Sequence, residues 1–409
     1  MSTTTLLFLF TLIFSVPVWV ISARRGRVAS PLSLLTFAYF LILVVGTILF
    51  EPLRGRPLEN AVLSLIFIGF ISLYLGCILG ESKLFRRFVN RVSKIQFGIH
   101  EPELMVAAAL VGLAAAAILF VVAGGSPLFK ADVNESKLQL LAGNGHIRIF
   151  IYLLPLATLF FLYEMLRSRY LFYKYLFWSF AFLTIGIFIF SGFRGWVVLF
   201  LGQALVLFFV VRKKRVSLFG GVFVLFLIYS FVMIVGSFRR GSINLVETLA
   251  ELVIIFTARP AAVEHIYRNL DPGSMGITFF GDLVKLLPGT VEGVNAKIKE
   301  QVFAGASNMP DLAGINPSIV GELYLNFGFT GVFSIMFFIG LFCTFFYRVA
   351  ISSLRRSIVI FYAITIMFFV VSFQKGISSG MPVLVFYIFW GLFLNFVARV
   401  RFQISRSTL

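Results

Sequence analysis

The chain has 409 residues, of which 60% are hydrophobic and only 13% charged, with a formal net charge of +18. A mean hydropathy of +1.00 excludes a soluble globular domain, and in a membrane chain so basic a balance needs no nucleic acid to explain it. The two cysteines, Cys77 and Cys343, fall inside apolar runs and exclude a disulfide framework, so both read as packing residues.

A bilayer core takes roughly 20 apolar residues per helix. Eleven such segments follow in chain order, at about 3–22, 31–50, 61–79, 104–123, 149–166, 171–190, 196–211, 218–237, 328–347, 358–373 and 383–397. They are continuously apolar rather than alternating, which predicts helices and not barrel strands. The expected fold is an all-α polytopic membrane protein with about 11 transmembrane helices. Residues 1–237 hold the first eight, residues 238–317 form one long polar loop, and residues 318–409 hold the last three. The first segment lacks a basic leader and has Arg24, Arg25 and Arg27 after its apolar run, the order of a retained span rather than a cleaved signal.

Basic residues predict the orientation. Every odd-numbered turn carries a cluster, from Arg24/Arg25/Arg27 through Arg212/Lys213/Lys214/Arg215 to Arg399/Arg401/Arg406, whereas the acidic residues gather in the other turns. The positive-inside rule then places the N-terminus outside, the C-terminus in the cytoplasm and the long loop on the extracytoplasmic side. The inner clusters read as topology anchors that also attract anionic lipid. A second outer loop, 124–148, carries Lys130, Asp132, Glu135, Lys137, His146 and Arg148. Short outer turns add Arg54, Arg56, Arg194 and Lys375, so the outer floor is repeatedly basic.

The long loop has helical periodicity. Asn244 and Glu247 form a capping pair, and Leu245, Val246, Leu249, Leu252, Val253 and Phe256 recur on one face. Pro260 suits the first turn of a second helix, in which Val263, Ile266, Tyr267 and Leu270 share a face and Glu264, His265 and Arg268 project from the other. Asp271-Pro272-Gly273 ends it, and shorter segments are expected at 279–287 and 291–303. Such helices either lie on the membrane as a lid or pack as a fixed cap.

Three basic sites could clamp a phosphate, because guanidinium groups match phosphate oxygens in a bidentate fork. They are Arg194 in the tight turn Ser191-Gly192-Phe193-Arg194-Gly195, the pair Arg239/Arg240, and Arg259 before Pro260. The competing reading for Arg194 is an arginine snorkelling to the headgroups. After the loop comes Asn316-Pro317-Ser318-Ile319-Val320-Gly321-Glu322-Leu323-Tyr324-Leu325-Asn326-Phe327-Gly328. There Asn316 and Pro317 open a helix and Glu322 falls in an apolar second turn. A carboxylate so placed is partly desolvated, a setting that suits a general base, although it equally suits a structural partner of an arginine. The three histidines, His100, His146 and His265, are too scattered to propose a metal site, and no Walker loop or His-Glu-x-x-His is present. The spans lack central charges, which weakens an ion-coupled transporter.

The layout of many spans with one dominant outer loop resembles the O-antigen polymerases, which join oligosaccharide repeat units. The likeness sharpens at Ser191-Gly192-Phe193-Arg194-Gly195 and at the stretch from Asn316 to Gly328, which is similar to a Pro-x-x-x-Gly-Glu-x-x-x-Asn-x-Gly pattern of that family. The resemblance implies a metal-independent glycosyltransferase of the bacterial inner membrane with no cofactor. Its substrates would be two polyprenyl-diphosphate-linked oligosaccharides, and its candidate partners a chain-length regulator and a flippase. On that basis Arg194, Arg239, Arg240 and Arg259 would bind diphosphate, Glu322 would be the base with His265 as runner-up, and Tyr267, Asn316 and Tyr324 would contact sugar. An O-antigen ligase of the same superfamily and a lipid-linked oligosaccharide flippase or exporter stand as the rival readings.

Overall fold

The computed structural model describes residues 3–85, 89, 102–130, 140, 144–212, 245–273, 278 and 317–407, and all regular structure among them is helical. The expected span 218–237, the cap Asn244, the segments 279–287 and 291–303, and Arg239, Arg240 and Asn316 lie outside the described residues.

In chain order the helices are α1 Thr3–Arg24, α2 Pro31–Tyr39, α3 Val45–Arg54, α4 Asn60–Glu81, α5 Pro102–Val122, α6 Gly145–Ile151, α7 Leu153–Arg167, α8 Leu171–Phe190 and α9 Arg194–Arg212. They continue with α10 Leu245–Asn269, α11 Ser318–Ser353, α12 Arg356–Lys375 and α13 Ile377–Ser407. A π-helical turn, Phe40–Val44, joins α2 to α3 within one span. Ten helices among the described residues are long and apolar enough to cross a membrane, and they coincide with ten of the eleven expected spans. The chain is an all-α polytopic membrane protein.

Between lipid-immersed helices the hydrophobic effect is weak, so association rests on close packing and on polar contacts. The most extensive helix pairing joins α4 to α11. A Cβ on Gly76 would stand 2.0 Å from the Phe337 carbonyl oxygen, and one on Gly340 would stand 2.3 Å from that of Leu73. Only glycine lets these two backbones approach so closely. Other pairs are stitched by buried polar groups. The Trp19 indole donates to Thr36 Oγ1 (3.0 Å) between α1 and α2. The Tyr39 hydroxyl donates to the Ile66 carbonyl (2.7 Å), and Thr158 faces Thr184 (3.1 Å) between α7 and α8.

One end of the bundle gathers the turn after α3, the C-terminal part of α10, the start of α11 and the α12–α13 turn; we call it the loop end. At the opposite end basic residues hold helix termini as well as lining the surface. Arg348 donates to the carbonyls of Gly80 and Ser82 (both 2.8 Å), satisfying the C-terminus of α4. Arg356 pairs with Glu164 at 2.5 Å and lies over the Phe160 ring.

The structure corrects the expected pair of loop helices at Pro260. From Leu245 to Asn269 the chain is one helix with Pro260 in its interior. An interior proline costs a helix about 3 kcal/mol. Here Ala258, Ala261, Ala262, Val263 and Ile266 are all buried around it, and the packing of that continuous surface outweighs the lost hydrogen bond.

Candidate functional site

The segment that follows the long loop folds as a short helical block. Pro317 caps it, and residues 318–326 are all buried. The block ends at Gly328, whose φ of 64° and ψ of −155° lie in a region essentially confined to glycine. The break strips the preceding turn of its usual donors, and the Leu325 carbonyl instead accepts the Gly273 N–H at 2.7 Å. Pro272 packs over Gly328. The exit from α10 is thereby clipped onto the start of α11.

Glu322 is the centre of this block and has 0% exposure. Its carboxylate accepts the Thr278 hydroxyl at 3.1 Å, the Ser378 N–H at 3.2 Å and the Ile377 N–H. The last two are orphan donors of the first turn of α13, so an anion there both caps the helix and complements its dipole. Gly376, with φ 84°, is required on two counts: its conformation, and a Cβ that would stand 2.5 Å from Glu322 Oε2. Asn326, one turn on, accepts the Thr278 N–H (2.7 Å) and donates to Thr278 Oγ1 (2.9 Å). Among the described residues the donors on Glu322 are neutral, the Thr278 hydroxyl and two backbone N–H groups.

Lys375 precedes that turn directly. Its ammonium lies over Gly195, 2.9 Å from where a Cβ would stand. Gly195 belongs to the Ser191–Gly195 turn, and Arg194 is the first residue of α9. Phe193 stacks on Trp196 with ring centroids 4.3 Å apart, and the Arg148 guanidinium lies over the same indole at 5.7 Å. Beneath Lys375 a cavity of about 50 Å³ opens between α9, α12 and α13, reaching buried Gln203 and Tyr387.

The third component is α10. Arg259 is 8% exposed and shares a helical face with Val263 and Ile266, the two side chains that meet Gly321 of α11. Tyr267 and Tyr324 come together with ring centroids 5.4 Å apart. His265 is half-buried. Glu264, read from periodicity as projecting to the polar side, is instead 2% exposed. Arg56 grips both its oxygens at 2.9 and 2.7 Å, while Arg268 bridges it (3.2 Å) to Glu59 (2.9 Å). The hydrogen bond to Glu264 holds the Arg56 guanidinium above its ordinary range. The reason for the difference is that the α3–α4 turn covers the polar side of α10, a contact no local pattern records.

The geometry therefore joins sequence features that are far apart. Through Glu322 the stretch from Pro317 to Gly328 meets the Lys375 turn, and through Lys375 it meets the Ser191–Gly195 turn. Tyr267, Tyr324 and Arg259 lie on the α10–α11 side of the same block. Thr278 was not singled out by sequence reasoning, because an isolated Thr in a loop carries no spacing signal, and Arg148 was read only as one of the charges of the 124–148 loop, whereas it lies in α6. No cluster of three or more His, Cys, Asp or Glu close enough to hold a metal ion occurs among the described residues.

Residues 27–390 of the chain match the family model of the O-antigen polymerases. No curated protein and no solved structure matches the chain.

Proposed function

The chain belongs to the O-antigen polymerase family, and from that premise we propose that it is a membrane glycosyltransferase that polymerises polyprenyl-diphosphate-linked oligosaccharide repeat units. In this reading the reaction takes place at the loop end, on the extracytoplasmic side, a placement that the positive-inside pattern of the turns supports. A hydroxyl of one lipid-linked chain attacks the anomeric carbon of the other. The new C–O bond forms as the bond to the lipid diphosphate breaks, the hydroxyl proton passes to a base, and polyprenyl diphosphate leaves with the bonding pair.

Such a step needs cations where negative charge develops on the leaving group. Lys375, Arg194 and Arg259 supply them in this reading, with Arg239 and Arg240 from the loop. Arg56 and Arg268 are already engaged by carboxylates, so they hold the loop helix in place. A base must come within about 3 Å of the hydroxyl. Sequence reasoning put Glu322 first as base and His265 second; because Glu322 is enclosed and bound by Thr278, Ile377 and Ser378, this reading takes it as a positioning group and half-buried His265 as the base. The Tyr267–Tyr324 pair and Asn316 receive sugar.

The observation that carries the proposal is the junction of the Ser191–Gly195 turn, Lys375 and the Pro317–Gly328 block at one end of the bundle. Deleting the gene and profiling surface polysaccharide tests it. The proposal expects single repeat units transferred to their final carrier and no longer polymer. Loss of all transfer, with polymer still built on lipid, would contradict it in favour of a ligase. Repeat units trapped on the cytoplasmic leaflet would contradict it in favour of a flippase.

A further inference from the structure

We infer that Thr278 and Glu322 are positioning residues that couple the long loop to the cationic turn at Lys375. This inference rests on the proposed diphosphate role of that turn.

The coupling runs through one carboxylate. On one side Glu322 receives the Thr278 hydroxyl, and Thr278 is fixed further by two hydrogen bonds to Asn326. Asn326 Nδ2 also donates to the Glu322 carbonyl (2.6 Å), so both loop-gripping side chains share one helical turn. On the other side the same carboxylate receives the Ile377 and Ser378 N–H groups. Ser379 completes the turn by donating to the carbonyls of Lys375 and Gly376 (both 3.2 Å). Lys375 thus emerges from a turn whose N–H groups are held by Glu322, and its ammonium lies over Gly195. Any displacement of the chain at Thr278 withdraws a donor from Glu322 and loosens the turn that aims Lys375. The Thr278 hydroxyl and the Glu322 carboxylate are fully buried, so neither contacts substrate; they act on the cation's position.

The test measures the affinity of a C55 polyprenyl diphosphate for the full-length protein in nanodiscs, together with the unfolding temperature. Thr278→Val removes the hydroxyl at nearly constant shape and is expected to weaken binding about tenfold, the worth of one hydrogen bond to a charged group. Thr278→Ser restores the hydroxyl and should bind within about twofold of the parent. Lys375→Ala should lose at least as much as Thr278→Val, and the double variant should lose no more than Lys375→Ala alone, since both act through one cation. A purely structural role would lower the unfolding temperature without that non-additivity. If Thr278→Val fails to fold, Glu322→Gln is read the same way against Lys375→Ala. Parental affinity in Thr278→Val, or losses that multiply in the double variant, would overturn the coupling. Parental affinity in Lys375→Ala would instead defeat the diphosphate role of the turn.

Discussion

Two glycines decide the geometry at Glu322, and each is constrained for a different reason. Gly328 is held by conformation alone, since nothing closer than Pro272 at 3.6 Å would meet its Cβ. Gly376 is constrained by conformation and by Glu322 together. Gly328→Ala should therefore cost about 1–3 kcal/mol of stability from backbone strain. Gly376→Ala should cost more and also displace the carboxylate. Thermal unfolding in detergent would rank the two, and equal costs would argue that Glu322 yields freely. At this scale the sequence was readable where partners are near neighbours: Glu322 and Asn326, joined one turn apart, fall within one short motif. It was unreadable where partners are remote. Thr278 binds Glu322 across 44 positions and Glu264 binds Arg56 across 208, and no local spacing encodes either pair.

Among the elements, α10 departs most from expectation. The apolar face shared by Val263 and Ile266 was legible from periodicity, but the covered polar side around Glu264 was not, because that depends on where the α3–α4 turn folds back. The Arg56–Glu264 pair is the anchor. Arg56 is nearly half exposed while Glu264 is enclosed, so removing the arginine strands a buried carboxylate with its weaker remaining partners. Arg56→Ala is expected to weaken docking of α10 by about 1–3 kcal/mol. Hydrogen exchange over residues 257–269 should accelerate correspondingly while that of α4 stays unchanged. Unaltered exchange in α10 would show that its apolar contacts with α11 suffice. Pro260 was misread for a related reason: a rule for isolated helices places proline at a start, whereas packing on both sides of α10 keeps it inside.

For the molecule as a whole, the bilayer makes the sequence unusually legible. Backbone polar groups must be satisfied within each span, so apolar length alone marks a helix. Ten expected spans are found on that basis. What length and hydropathy do not give is which helices touch, and hence that Lys375 and the Ser191–Gly195 turn share one end with Glu322. The family assignment and this junction together make lipid-linked glycosyl transfer the central claim. Its most direct test is to incubate the purified protein with a single polyprenyl-diphosphate-linked repeat unit and follow the products by mass spectrometry. The account predicts a ladder of whole-repeat additions with polyprenyl diphosphate released at each step. Unchanged substrate, in folded protein shown to bind it, would contradict the claim.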